Sequence, residues 1–270
     1  MPDVSVLIPS LNSARTLDRC LASVAEQTSA PIETLVIDGG STDGSQSLAV
    51  ARGAKVLEGT YGMSAARNAG LQASTGSYIL NLDSDMWLEP NCIDACLRLA
   101  RHGVGGVILP ERAIGVGFWA RSVALGRNLT LPLQRRAAAG VPRFYSRGEL
   151  IEAGGWNNSL TWGEDVDLFL RIRRTVSIGV ADTTVFHSEF IPNLSFLYER
   201  WKSAEKWGSL REFARLHPTA ETSAIVENQL TPLLEPEALS MILRQPHLFF
   251  GLQLVRLTKL SARAASAVHT

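Results

Sequence analysis

At 270 residues, 46% hydrophobic and 19% charged, the chain has the composition of a globular protein able to bury a core in one large or two small domains. Its 26 basic and 26 acidic residues cancel, so no net field draws it to nucleic acid, and an anionic partner must be met by a local cluster. Cys20, Cys92 and Cys96 are odd in number, lack a metal-type CxxC spacing and fit a reducing compartment. The start, MPDVSVLIP, has no basic region followed by an apolar segment, and no apolar run approaches the roughly 20 residues of a membrane span. A cytoplasmic location is expected, in the cell interior or at the inner face of the membrane.

In chain order, β-rich runs at Val4 to Ile8 and Glu33 to Ile37 flank a helical pattern at Leu17, Cys20, Leu21 and Val24, which share one helix face. Further strands are predicted at Ala54 to Leu57, Tyr78 to Leu82 and Gly106 to Leu109, with helices over Met63 to Ala73 and Asn91 to Arg101. This alternation predicts an α/β fold with a mostly parallel sheet covered by helices. After Pro110 the pattern loosens around Gly115, Gly117, Pro132, Gly140 and Pro142, until Val166, Phe169, Leu170 and Ile172 resume helical spacing. Beyond His187 the chain reads helical, over Leu194 to Leu216, from near Pro236, and from Pro246 to Val268.

Ligands of such sheets bind beyond the carboxyl ends of the strands. Three polar loops fall there: Ser10-Leu11-Asn12-Ser13, Asp38-Gly39-Gly40-Ser41-Thr42-Asp43-Gly44 and Asp83-Ser84-Asp85. In an extended segment the carboxylates of Asp83 and Asp85 project the same way, about 6.6 Å apart along the strand, where both can face one ligand. A hard divalent cation, Mg²⁺ or Mn²⁺, accepts one or two such carboxylates and leaves positions for phosphates. Aspartates also collect in turns through local hydrogen bonds. The same alternatives attend Asp38 in its glycine-rich turn, Arg67 among the small residues of Ala65-Ala66-Arg67-Asn68-Ala69-Gly70, and Glu164 and Asp165 in the first turn of a helix, where the helix dipole favours acids. His187 ends an apolar run, and imidazole is a competent metal ligand.

As an ordered set, VSVLIPSLN, VIDGGSTDGS, ARNAGLQASTGSYILNLDSDM and GGWNNSLTWGEDVDLFLRI resemble the PxxN, DDGSTD, ARNxG…LDxD and GGFDE…EDxDLxxR patterns of the inverting glycosyltransferases of family 2. The resemblance runs from about Val4 to His187. It implies a GT-A fold with a catalytic domain over 1–190, divided into a nucleotide-sugar half (1–110) and an acceptor half (111–190), and a helical extension over 191–270. It implies a metal-assisted, inverting transfer of sugar from a nucleoside-diphosphate sugar, a UDP-sugar favoured, to a hydroxyl of a glycan, lipid-linked or small-molecule acceptor. Pro9, Asn12 and Ser84 would border the donor, Asp38 would read the base, Arg67 would lie near base or diphosphate, and Asp83 would face the ribose. Asp85 would hold the metal with His187 as a further ligand, and Asp165 would deprotonate the acceptor with Glu164 beside it. Glu111, Arg112, Trp119, Arg143 and Trp162 are expected on the acceptor side.

Two positions depart from the pattern: Gly39 replaces the second aspartate of DDGSTD, and GGFD has become GGWN at Trp156 and Asn157. Arg200-Trp201 keeps the end of the QxxRW helix of processive synthases without its glutamine, which favours a non-processive enzyme. The segment from Pro246, with Arg256, Lys259 and Arg263 among apolar residues, suits packing on the catalytic domain, a homodimer contact, or an anionic membrane surface. A sugar-phosphate nucleotidyltransferase is the alternative enzyme, against which stands the lack of a basic glycine-rich loop after the first strand. A noncatalytic binder of the same fold is the other.

Overall fold

The computed structural model describes residues 3–59, 62–137, 139–202, 204–217 and 235–268. In chain order these form β1 (Val4–Ser10), α1 (Ala14–Ala25), β2 (Glu33–Asp38), α2 (Ser45–Ala51), β3 (Lys55–Glu58), α3 (Met63–Ala73), β4 (Tyr78–Asn81), β5 (Met86–Leu88), α4 (Cys92–Arg101) and β6 (Gly106–Ile108). Then follow β7 (Glu111–Gly115), α5 (Phe118–Asn128), α6 (Leu131–Gln134), β8 (Phe144–Ser146), α7 (Arg147–Glu152), α8 (Glu164–Ile172), β9 (Ile178–Val180), β10 (Val185–Glu189), α9 (Leu194–Lys202), α10 (Ala204–Leu216), α11 (Pro236–Arg244) and α12 (Pro246–Val268). The chain divides into two compact units: Met1–Pro110 with Gly140–Asn158 and Glu164–Phe186, and Glu111–Ala139 with Ser159–Gly163 and His187–Thr270.

The first unit is built on a seven-stranded sheet ordered β3-β2-β1-β4-β8-β6-β9. The pairs β1–β2, β1–β4, β2–β3 and β6–β9 are parallel, and β8 runs antiparallel to both β4 and β6. Strand alternation sends Val4, Val6, Ile8, Val36, Leu80, Val107 and Phe144 to one face, where α1 and α4 cover them with Leu17, Cys20, Leu21, Val24, Ile93 and Cys96. Leu7, Leu35, Ile37, Ile79 and Tyr145 point to the other face, beneath Ala66 and Leu71 of α3, Leu150 of α7, Trp156, and Leu168 and Ile172 of α8. Burial on both faces is why these strands read as continuous apolar runs. The three cysteines are buried free thiols.

Chain order reverses about β1, with β2 and β3 to one side and β4 to the other, which makes the gap between the ends of β1 and β4 the topological switch point where such sheets bind ligands. The opposite ends are closed tightly. Ser5 Oγ donates to Glu33 Oε1 at 2.6 Å and accepts from the Gly76 N–H at 2.9 Å. A Cβ on Gly76 would fall 2.7 Å from the Ser5 backbone nitrogen and 2.9 Å from the Asp3 carbonyl oxygen. Gly76→Ala is therefore expected to lower unfolding stability by roughly 1–3 kcal/mol, read by urea denaturation; an unchanged midpoint would contradict this packing.

In the second unit, Leu125 of α5 and Leu129 just after it pack with Ala238 of α11 and Leu248 and Leu252 of α12. Ala120, Ile191, Leu197 and Val255 form a second cluster joining α5, α9 and α12. The segment from Pro246 thus packs on its own unit. Among the described residues no helix is long and apolar enough to cross a membrane.

Candidate active site

The three loops at the switch point are cross-braced. The loop after β1 holds Asn12 at φ +50°, a conformation asparagine tolerates better than most residues. Its side-chain oxygen accepts the Thr42 N–H at 2.9 Å while its own N–H donates to Ser41 Oγ at 2.8 Å. Ser84 Oγ donates to Ser13 Oγ at 2.8 Å, tying the loop after β4 to the loop after β1. Pro9 is buried within β1, paired in register with Ile37.

Asp38 ends β2 with no exposed surface. Its Oδ2 accepts from the N–H groups of Gly40 (3.1 Å) and Ser41 (2.8 Å) and from Gln46 Nε2 (2.7 Å), and its Oδ1 from Ser41 Oγ (2.5 Å). Burial pushes the carboxyl up, but these bonds outweigh it and hold it below the ordinary range. Asp38 therefore shapes its own turn. Asp43 bridges the starts of α1 and α2, accepting the N–H groups of Ala14 and Ser45.

The centre of the site is Arg67, carried on α3 and only 2% exposed. Its Nη1 donates to Glu164 Oε1 at 2.6 Å and to Asp165 Oδ1 at 2.9 Å, and its Nη2 to Asp83 Oδ1 at 2.9 Å. The other oxygen of Asp83 accepts from Arg143 Nη1 at 3.2 Å. Three sequence segments thus meet on one guanidinium. Burial works against its charge, and Asp165, Asp83 and Glu164 outweigh that and raise its pKa. Glu164 is the strained partner: burial first, then the charge of Asp165, push its carboxyl above 4.5, with Arg67 pulling it back. The Nε–H of Arg67 is buried without a hydrogen-bond partner among the described residues.

Asn68, the next residue on α3, clamps the glycine turn before α8. Its Nδ2 donates to the Trp156 carbonyl at 2.7 Å and its Oδ1 accepts the Trp156 N–H at 2.9 Å. The approach requires glycine at 155, where φ is +69° and a Cβ would lie 2.4 Å from Asn68 Oδ1. Arg171 of α8 binds the same turn, donating to the carbonyls of Ala153 and Gly155 while paired with Asp167. So fixed, the Trp156 indole Nε1–H donates to Asp165 Oδ1 at 2.8 Å. In the sequence Trp156 is only a departure from the pattern, and Asn68 and Arg171 carry no role; the available signal is a ring N–H where the pattern has phenylalanine.

Of the residues expected on the acceptor side, Arg143 belongs to the first unit and contacts Asp83. In the second unit, Glu111 accepts from Arg127, whose other terminal nitrogen donates to Glu189 Oε1 at 2.8 Å. His187 Nδ1 lies 2.9 Å from Glu111 Oε1. Trp119 packs at the edge of the α5–α9–α12 cluster, in a T-shaped contact with Phe118. Trp162 is held through its backbone by Ser209, and Arg112 is exposed.

In the first unit, one side chain at the strand ends suits a divalent cation. Asp85 is half-buried in the turn after Asp83 and offers hard oxygen donors. In the second unit, the Glu111 carboxylate at Nδ1 orients the His187 ring. Among the described residues no three His, Cys, Asp or Glu side chains gather into a group that could hold a metal alone.

A sheet of this order, with ligand loops at the β1–β4 switch point and a helix-borne acidic pair beside them, is the GT-A fold of nucleotide-sugar enzymes. The chain belongs to glycosyl transferase family 2, whose profile it matches over residues 5–146. It is 33% identical over 105 residues to the putative glycosyltransferase EpsH of Bacillus subtilis, covering 37% of this chain and 30% of that protein. It is 24% identical over 182 residues to the chondroitin synthase of Escherichia coli, covering 64% of this chain and 26% of the relative. The chain spans less than a third of the length of either. Among solved structures, the mannosyltransferase PcManGT of Pyrobaculum calidifontis, in complex with GDP-Man and Mn²⁺, superposes with a TM-score of 0.59 at 19% identity, over 99% of this chain and 88% of that one. TarS 1-349 of Staphylococcus aureus, in complex with UDP-GlcNAc, gives 0.56 at 15% identity, over 98% and 90%.

Proposed function

We propose that this chain is a non-processive, inverting glycosyltransferase that moves a sugar from a nucleoside-diphosphate donor, a UDP-sugar favoured, to an acceptor hydroxyl. The observation that carries the reading is the convergence of Asp83, Glu164 and Asp165 on Arg67. A noncatalytic binder would have no use for so costly a gathering of buried charge, and a nucleotidyltransferase would need a basic phosphate loop where the chain has Pro9-Ser10-Leu11-Asn12. The presence of UDP-GlcNAc in one structure of the same fold and of GDP-Man with Mn²⁺ in another supports a nucleotide-sugar donor.

In this reading the donor nucleotide lies along the loops of Pro9, Asn12 and Ser84, beside the turn that Asp38 builds, with Asp83 toward the ribose. Asp165 accepts the proton of the attacking hydroxyl through Oδ2, since its hydrogen bonds from Arg67 and Trp156 both fall on Oδ1. A single displacement at the anomeric carbon then inverts its configuration. Arg67 serves by orienting the carboxylates, because both terminal nitrogens already face them. Glu164 shares that guanidinium, and Glu111, Arg112, Trp119 and Trp162 are assigned to the acceptor side. A divalent cation, Mg²⁺ or Mn²⁺, bound by Asp85, would offset the charge of the departing diphosphate.

Thermal shift against UDP-glucose, UDP-N-acetylglucosamine, UDP-galactose and GDP-mannose, each with and without Mn²⁺, tests the reading. At least one donor is expected to raise the melting temperature only when metal is present; no shift with any would remove it. Asp85→Ala is expected to abolish most of the Mn²⁺-dependent part of donor affinity. Calorimetry finding that part intact would take Asp85 out of the metal site.

A further inference from the structure

We propose that the Trp156 indole N–H positions the general base, so that Trp156 controls turnover through Asp165 without touching substrate. This rests on the assignment of Asp165 as base. Trp156 is 2% exposed, and a buried indole N–H is costly unless it finds an acceptor. It finds one oxygen, Asp165 Oδ1, at 2.8 Å, the same oxygen that Arg67 Nη1 holds at 2.9 Å. Two donors converging on Oδ1 fix the plane of the carboxylate and leave Oδ2, on a side chain 23% exposed, as the oxygen open to an incoming hydroxyl.

The tryptophan is itself held on several sides. Asn68 takes both backbone groups of Trp156, Tyr145 meets the indole edge-to-face with centroids 6.4 Å apart, and the Arg67 guanidinium carbon lies 6.0 Å from the ring centre. Arg171 reaches from α8 to the preceding Gly155 carbonyl at 2.8 Å. The ring therefore cannot swing to follow a displaced carboxylate. A phenylalanine, as in the GGFD pattern, would fill the same volume and donate nothing.

The test compares wild type, Trp156→Phe and a protein with benzothienylalanine at position 156, which replaces the indole N–H by sulfur at nearly constant shape. The readout is Mn²⁺-dependent release of nucleoside diphosphate from the donor that most stabilises the protein in the panel above. Both variants are expected to lose roughly tenfold or more in kcat with donor KM unchanged, the size expected of a hydrogen bond to a charged group. A packing role alone would move the melting temperature of Trp156→Phe and leave kcat of the benzothienyl protein at its wild-type value, which would overturn the proposal. Asp165→Asn is run alongside. If it abolishes turnover while both Trp156 variants match wild type, the positioning role fails and the base assignment stands; if it turns over normally, both fall.

Discussion

Asp165→Asn is expected to lose at least about two orders of magnitude in transfer rate while still binding donor, because general-base catalysis typically contributes 10²–10⁴-fold. The substitution is close to isosteric and lies where the structure tolerates it. The Asn side-chain oxygen can still accept from Trp156 Nε1 and Arg67 Nη1, as Oδ1 does now at 2.8 and 2.9 Å. What changes is the second oxygen, which becomes an amide nitrogen unable to take a proton. Donor affinity measured by calorimetry should therefore stay near wild type while single-turnover transfer falls. Near-normal turnover would remove Asp165 from the chemistry, and a parallel collapse of affinity would make it a binding residue instead.

Arg67→Met should have the largest effect on stability. Removing one partner of a buried ionic group typically costs about 3–5 kcal/mol, because the remaining charges are left uncompensated. Here Asp83 would keep its contact with Arg143, while Glu164 and Asp165, on side chains 11% and 23% exposed, would lose the guanidinium. The loss should also depend on pH, with a sign that can be worked out. The Glu164 carboxyl is raised above 4.5 in the folded protein, so between its unfolded and folded values the folded state binds more protons, and acidification through that window favours folding. Arg67 is one of the influences that lower this value; without it the window widens upward. Asp38 and Glu33, held below their ordinary values, lose their contributions as pH falls through their folded values, equally in both proteins. The gap in unfolding free energy between wild type and Arg67→Met should accordingly narrow from pH 7.5 to pH 5. A gap that stays constant or widens would mean that the guanidinium is not offsetting those charges.

Much of the fold is legible in the sequence because two-sided burial writes long apolar runs. β1, β2 and β4 are such runs, and Leu17, Cys20, Leu21 and Val24 give α1 one buried face. The region after Pro110 is harder because its elements are short. β8 has three residues, too few for alternation to register, and its antiparallel place between β4 and β6 is set by tertiary pairing. Glycines and prolines there mark turns between real elements, α5 among them.

For the candidate site, the residue types were legible and their connections were not. Asp83, Glu164 and Asp165 stand out in the sequence as polar groups at strand and helix ends, and Arg67 as a long cation among the small residues of a helix. That one arginine joins all three acids depends on α3 and α8 lying on the same face of the sheet, which no local spacing encodes. The terminal nitrogens of Arg67 meet carboxylates, a set of contacts that its place among small helix residues does not announce. Trp156 and Asn68 were missed for the same reason: a hydrogen bond between a turn and a helix 88 residues apart leaves no periodic trace.

The central claim, a single displacement driven by Asp165, is tested most directly by proton NMR of donor hydrolysis with water as the acceptor. With Mn²⁺ and the α-linked nucleotide-sugar that best stabilises the protein, the first sugar released should be the β anomer, and Asp165→Asn should release it at least about a hundredfold more slowly. Release of the α anomer first, or equal rates from the two proteins, would contradict the account.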